Sequence, residues 1–194
     1  MSSSRTTYPD FKRRLDRLAN SLLPPDNPAG VYSDGEKDRI HAYLVLAHAE
    51  IEDFLEKLAS YVTDRERRNS STKKCSPVIS RLILYKSARG NEKIEAVTAD
   101  SIAGAVKFYE SIIEGNNGIK AKDIFRMFMP LGLTHDDFDP VMMQDLDSFG
   151  ILRGGLAHTS ARLQQGASPS SERRRVENIA VQLSHFDQRV RALQ

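Results

Sequence analysis

The sequence predicts an all-α fold, a bundle of about five to seven helices. Three observations lead there. Apolar residues recur at steps of three and four through most of the chain, the period of one helical face. No stretch shows the period-two alternation of a half-buried strand. Proline, glycine and asparagine clusters, such as Pro24-Pro25, Gly90-Asn91 and Gly115-Asn-Asn-Gly118, fall between the periodic segments rather than within them.

Residues 1–8 read as a flexible arm, and residues 9–23 as a short amphipathic helix with Phe11, Leu15, Leu18 and Leu22 on one side. The Pro- and Gly-containing stretch 24–30 breaks it. Residues 1–30 are therefore assigned as an arm and short helix, and 31–194 as the helical domain. Ser33-Asp-Gly-Glu36 has capping-box spacing and opens the strongest helix. Ile40, Leu44, Ala47, Ile51, Leu55, Leu58 and Val62 form its stripe. Val45 and Leu46 lie off that stripe, which predicts a helix at the bundle centre or in a subunit interface. Arg65, Arg67 and Arg68 complement the negative end of its dipole.

After a polar loop at 69–74, Pro77 opens a helix with Val78, Leu82 and Tyr85 in register. Thr98 is the expected N-cap of a helix over 99–114 carrying Ile102, Val106, Tyr109 and Ile113. Gly115 to Gly118 predicts a turn with positive φ. Residues 120–129 return to helix and stop at Pro130-Leu-Gly-Leu133, and a short helical turn follows from Thr134 to Asp137. Asp139-Pro140 caps a helix bearing Met142, Met143, Leu146 and Phe149. A polar loop at 164–171 overlaps Ser168-Pro169, the start of the last helix, with its stripe of Val176, Ile179, Leu183, Phe186, Val190 and Leu193.

Composition excludes several classes. The 194 residues are 40% hydrophobic and 28% charged, as in a soluble globular chain. No run of about 18 apolar residues is present, so no membrane association is expected. The single cysteine, Cys75, permits no internal disulfide and no paired-cysteine metal site, which points to a reducing compartment and a cytoplasmic location. The net charge of +2 neither requires nor excludes nucleic acid.

The chemistry concentrates in Ile151-Leu-Arg-Gly-Gly-Leu-Ala-His-Thr159. Arg153 offers a permanent charge and a planar fork of donors suited to phosphate oxygens. His158 offers a proton that moves near neutral pH. Positions five apart on a helix are rotated by about 140°, so the two heads share a face only if the helix is distorted. Gly154 and Gly155 supply that freedom, or allow close approach by another helix or a ligand. On the long helix, His48 and Glu52 are four residues apart and within reach of each other. They form either a boundary pair at the core edge or a polar contribution to a site between helices. Glu50, at the opposite edge of the stripe, competes for that role. His48, Glu52 and His158 offer metal-ligand types, with His41 two turns away, but there is no HExxH and no second ligand pair, so no metal or other cofactor is expected. Walker, Rossmann and G-x-S-x-G patterns are absent.

Arg153-Gly-Gly-Leu-Ala-His158, the helix His41-Ala-Tyr-Leu-Val-Leu-Ala-His-Ala-Glu-Ile-Glu-Asp-Phe-Leu55 and the loop Asn116-Asn-Gly-Ile-Lys120 together carry a resemblance. In this order they look like the RiboL-PSP branch of the HEPN superfamily, helical proteins with an R-x4-6-H motif. The resemblance covers roughly residues 36–192. It implies a HEPN-like bundle, a metal-independent endoribonuclease acting on RNA, and a homodimer whose composite site brings the two motifs together. Arg153 and His158 would be catalytic, with Glu52, His48, Glu50 and Thr159 supporting. The position after the arginine is commonly polar in the superfamily and is Gly154 here. A toxin or antiviral-defence role, with an antitoxin or other defence partner, is implied by the resemblance alone. The alternative is a catalytically silent dimer that binds RNA, nucleotide or a partner protein.

Overall fold

The computed structural model describes residues 7–70, 74–90, 93, 96–158 and 168–193, with side chains at 156–158 outside the description. Among these residues it contains seven α-helices and no strand: α1 (Tyr8–Leu22), α2 (Asp34–Asn69), α3 (Pro77–Gly90), α4 (Ala99–Glu114), α5 (Ala121–Phe128), α6 (Pro140–His158) and α7 (Pro169–Arg191). Two 3₁₀ turns, Met129–Leu131 and His135–Asp137, join α5 to α6. Among the described residues no helix is long and apolar enough to cross a membrane. The expected arm at 1–8 lies mostly outside the description.

α2 is the hub. At 36 residues it spans about 54 Å and packs against each of the other six helices. Its start is fixed as the sequence predicts. Glu36 N–H donates to Ser33 Oγ at 3.3 Å, and Ser33 N–H donates to Glu36 Oε2 at 2.9 Å. The stripe from Ile40 to Val62 is buried, each large side chain contributing about 1.5–3 kcal/mol of apolar transfer. Val45 and Leu46 are 39% and 44% exposed, so neither meets the core of this chain.

α1 lies in the same core, with the Phe11 ring stacked on Phe54 at 4.4 Å. α3 and α4 pack on each other and on α2, and so do α6 and α7. The buried Tyr109 hydroxyl donates to the Met127 carbonyl and ties α4 to α5.

Two local expectations change. Arg65 does not serve its own helix end. Its guanidinium donates to the carbonyls of Arg191, at 2.6 Å, and of Leu193, so it satisfies the orphan carbonyls that end α7. Neither glycine of the 115–118 turn has positive φ, which among the described glycines is confined to Gly30 and Gly132. Gly115 has φ −84° and its N–H still bonds Ser111 O at 3.1 Å. The Asn116 side chain makes the turn instead, by donating to Gly118 O at 3.0 Å. The left-handed glycine is Gly132, φ +112°, which ends the first 3₁₀ turn under the Arg81 side chain.

Candidate active site on helices α2, α5 and α6

α6 begins where Asp139 Oδ1 accepts from Val141 N–H at 2.8 Å and Met142 N–H at 3.0 Å. Leu146, Phe149 and Gly150 face α2 and α5 and are buried. Arg153 lies three residues beyond Gly150 on the same row, just past the end of this packing. Its side chain is exposed, and no described carboxylate lies within ion-pairing distance of it.

The Arg153 charge is felt on α2. His48 is 3% exposed, with its ring 6.1 Å from that of Phe149. Burial first, and the Arg153 charge second, push its pKa down to about 4, so the imidazole is neutral at neutral pH. Its Nδ1 stands 3.8 Å from Glu52 Oε2, too far for a hydrogen bond. His48 and Glu52 are thus neighbours but not an ion pair at neutral pH. Burial raises the Glu52 pKa, the Glu56 carboxyl adds to the rise, and Arg153 opposes it. Burial likewise raises that of Glu56, while the Asn116 amide holds it down through a 2.9 Å bond.

Glu50 is not part of this group. It faces α1, where Arg14 pairs with it and Nε donates at 3.1 Å. A helix turns about 100° per residue, so Glu50 and Glu52 serve different neighbours.

His158 is the last residue of α6, and its side chain lies outside the described residues, as does Thr159 altogether. α6 runs on as helix through Gly154 and Gly155, with positive φ at neither. A side chain added at either glycine would meet nothing within 4 Å. The glycines therefore accommodate no close neighbour among the described residues, and the chain stays helical from 153 to 158 rather than bringing the two positions onto one face. They stay about 140° apart. Among the described residues no cluster of three or more His, Cys, Asp or Glu is arranged to hold a metal ion.

Sequence reading singled out neither Glu56 nor the work of the 115–120 loop. Glu56 continues the row His48–Glu52 by one more step of four, a signal that was available. Asn116, 6% exposed, donates to Glu56 and Gly118 and accepts from Arg126 at 3.4 Å, which locks the loop between α2 and α5. Asp147 of α6 accepts from Ala121 N–H at 2.7 Å and caps α5. These links join positions far apart in sequence, and no periodicity announces them.

Neither the curated proteins nor the solved structures include a match to this chain. A family model does match, RiboL-PSP-HEPN, over residues 10–188. The match takes in α1, which the resemblance read from motifs left out, and reaches through α6 to the body of α7. The chain belongs to the RiboL-PSP-HEPN family, a nuclease-related, RNA-associated branch of the all-helical HEPN superfamily.

Proposed function

We propose that this protein is a metal-independent endoribonuclease, with Arg153 and His158 as its catalytic residues. The observation that carries the reading is Arg153 itself. It stands exposed, without a described acid partner, at the end of the α2–α6 packing and on the helix that ends at His158. In this reading the RNA 2′-hydroxyl attacks the adjacent phosphorus, the P–O5′ bond breaks, and a 2′,3′-cyclic phosphate and a 5′-hydroxyl are left. His158 moves the proton, as base toward the 2′-hydroxyl or as acid toward the leaving oxygen. Arg153 stabilises the charge that gathers on the phosphorane-like transition state. Glu52 takes a positioning role beside Arg153, and His48, neutral and buried, supports the packing of α2 on α6 rather than proton transfer.

The 140° separation favours a site completed by a second copy. Val141, Gln144, Ser148, Ile151 and Gly155 are exposed and fall at alternating steps of three and four along α6. This seam carries no charge, Val141 and Ile151 are 59% and 64% exposed, and position 158 continues it by register. Two α6 helices packed along the seam would bring the ends of both motifs together, and a two-fold axis makes that contact self-complementary. A toxin or antiviral-defence effector is the cellular role this activity suits best.

The test is cleavage of a labelled mixed-sequence RNA in excess EDTA by the wild type, Arg153→Ala and His158→Ala. The expected result is cleavage by the wild type alone, cyclic-phosphate ends, and no cut in DNA, which lacks the 2′-hydroxyl. Equal cleavage by all three, or equal cleavage of DNA, would refute the mechanism. RNA binding without cleavage by the wild type would favour the silent binding dimer.

A further inference from the structure

The 115–120 loop delivers a cation to α6 that the mechanism above does not use. Lys120 is the N-cap residue of α5 and is half-buried. Its aliphatic stem lies on the bare backbone of α6. A Cβ built at Gly150 would stand 2.9 Å from Lys120 Cγ and 3.4 Å from Cε. Long basic side chains bury their stems in this way and keep the charged head in water.

The placement is held from both sides. Asp147, Gly150 and Arg153 follow one another at steps of three along one row of α6. Asp147 fixes the first amide of α5, Lys120 crosses at Gly150, and Arg153 comes next, about 4.5 Å further along the helix axis. On the loop side, Ile119 is fully buried and Asn116 is tied to Glu56, while Arg126 donates to Gly115 O at 3.0 Å. The nearby acids are otherwise engaged or distant: Asp147 accepts from Ala121, Glu56 from Asn116, and no described carboxylate lies within ion-pairing distance of Lys120.

We propose that Lys120 is a second phosphate-contacting residue, binding the RNA backbone beside the phosphate that Arg153 holds, with Gly150 kept bare to let its stem pass. This rests on the ribonuclease reading. The ligand is the backbone of single-stranded RNA, and the contact sets affinity rather than base preference.

The experiment measures binding of a labelled single-stranded RNA oligonucleotide to full-length His158→Ala, which removes cleavage, from 50 to 200 mM salt. Lys120→Gln, Lys120→Arg, Gly150→Ala and Arg153→Gln are each added to that background. Each phosphate contact adds about 0.7 to the salt slope for single strands, so Lys120→Gln should shrink the affinity loss over this range by about 2.6-fold. Lys120→Arg should restore it. Gly150→Ala should mimic Lys120→Gln and add nothing to it in the double variant, because its methyl group displaces the lysine stem. An unchanged slope in Lys120→Gln beside a reduced one in Arg153→Gln would overturn the proposal and leave the RNA site standing. No binding by the background protein, with no cleavage by the wild type, would overturn both. Gly150→Ala gains helix propensity against the displaced lysine stem, and an unchanged Tm in the same variant separates a loss of binding from a loss of fold.

Discussion

Lowering the pH should unfold this protein partly through His48, and His48→Gln should remove that component. The imidazole is buried between α2 and Phe149 with a pKa near 4, against about 6.5 in an unfolded chain. Between those values the unfolded state binds the proton and the folded state does not. The stabilisation is therefore complete above about pH 6.5 and is lost as pH falls through 4. A gap of about 2.5 pKa units at about 1.36 kcal/mol each is on the order of 3 kcal/mol, and about 2 kcal/mol of it is gone by pH 5. Glu52 and Glu56 work the other way. Their raised pKa values give stability that is full below about pH 4.5 and falls as pH rises above it. The difference between wild type and His48→Gln in urea unfolding at pH 7.5, 6, 5 and 4.5 isolates the histidine. NMR titration of the imidazole reads the same quantity directly, and Arg153→Gln should move it upward because the guanidinium charge is part of the cause. An imidazole titrating near 6.5 would refute its burial, and one indifferent to Arg153→Gln would refute the placement of Arg153 near α2.

Three other outcomes are expected. Asn116→Ala removes the amide donor to Glu56 and to Gly118 O, which should cost about 2–3 kcal/mol and lower Tm by about 4–12 °C in a calorimetric scan; a fall under about 1 °C would show that the loop is held elsewhere. Gly132→Ala forces an L side chain to φ +112° and into the Arg81 guanidinium, which should cost at least about 1–3 kcal/mol in chemical denaturation. Ile151→Glu puts a charge in the middle of the α6 seam and should give a monomer in sedimentation and abolish cleavage while leaving Tm at low concentration unchanged; an intact dimer with full activity would remove α6 from the interface.

The elements of this fold were readable because each carries local chemistry. The Ser33–Glu36 box, Thr98, Asp139-Pro140 and Ser168-Pro169 mark helix starts within a few residues, and the stripes between them have one period. The errors came where a local rule met a distant partner. Arg65 sits at the end of its own helix, yet the carbonyls it reaches belong to the end of α7. Gly115 and Gly118 look like positive-φ positions, yet neither is one, and Asn116 closes the loop by reaching Glu56, sixty residues away, and Gly118 O.

The candidate site divides along the same line. His48 and Glu52 are neighbours on α2, as a spacing of four predicts; the charge of Arg153 reaches both because α6 packs on α2 at that level, which no spacing within α2 announces. Glu50 goes elsewhere because Arg14 of α1, invisible to any rule about α2 alone, claims it. The twin glycines are the sharper case. In sequence they excuse a bend that would put Arg153 and His158 side by side. In the folded chain α6 stays helical, and a side chain added at either glycine would meet no described atom within 4 Å, so no described neighbour requires them. Two residues that cost helix stability and meet no described neighbour fit the second copy proposed above, because the exposed, uncharged seam of α6 runs through Gly155.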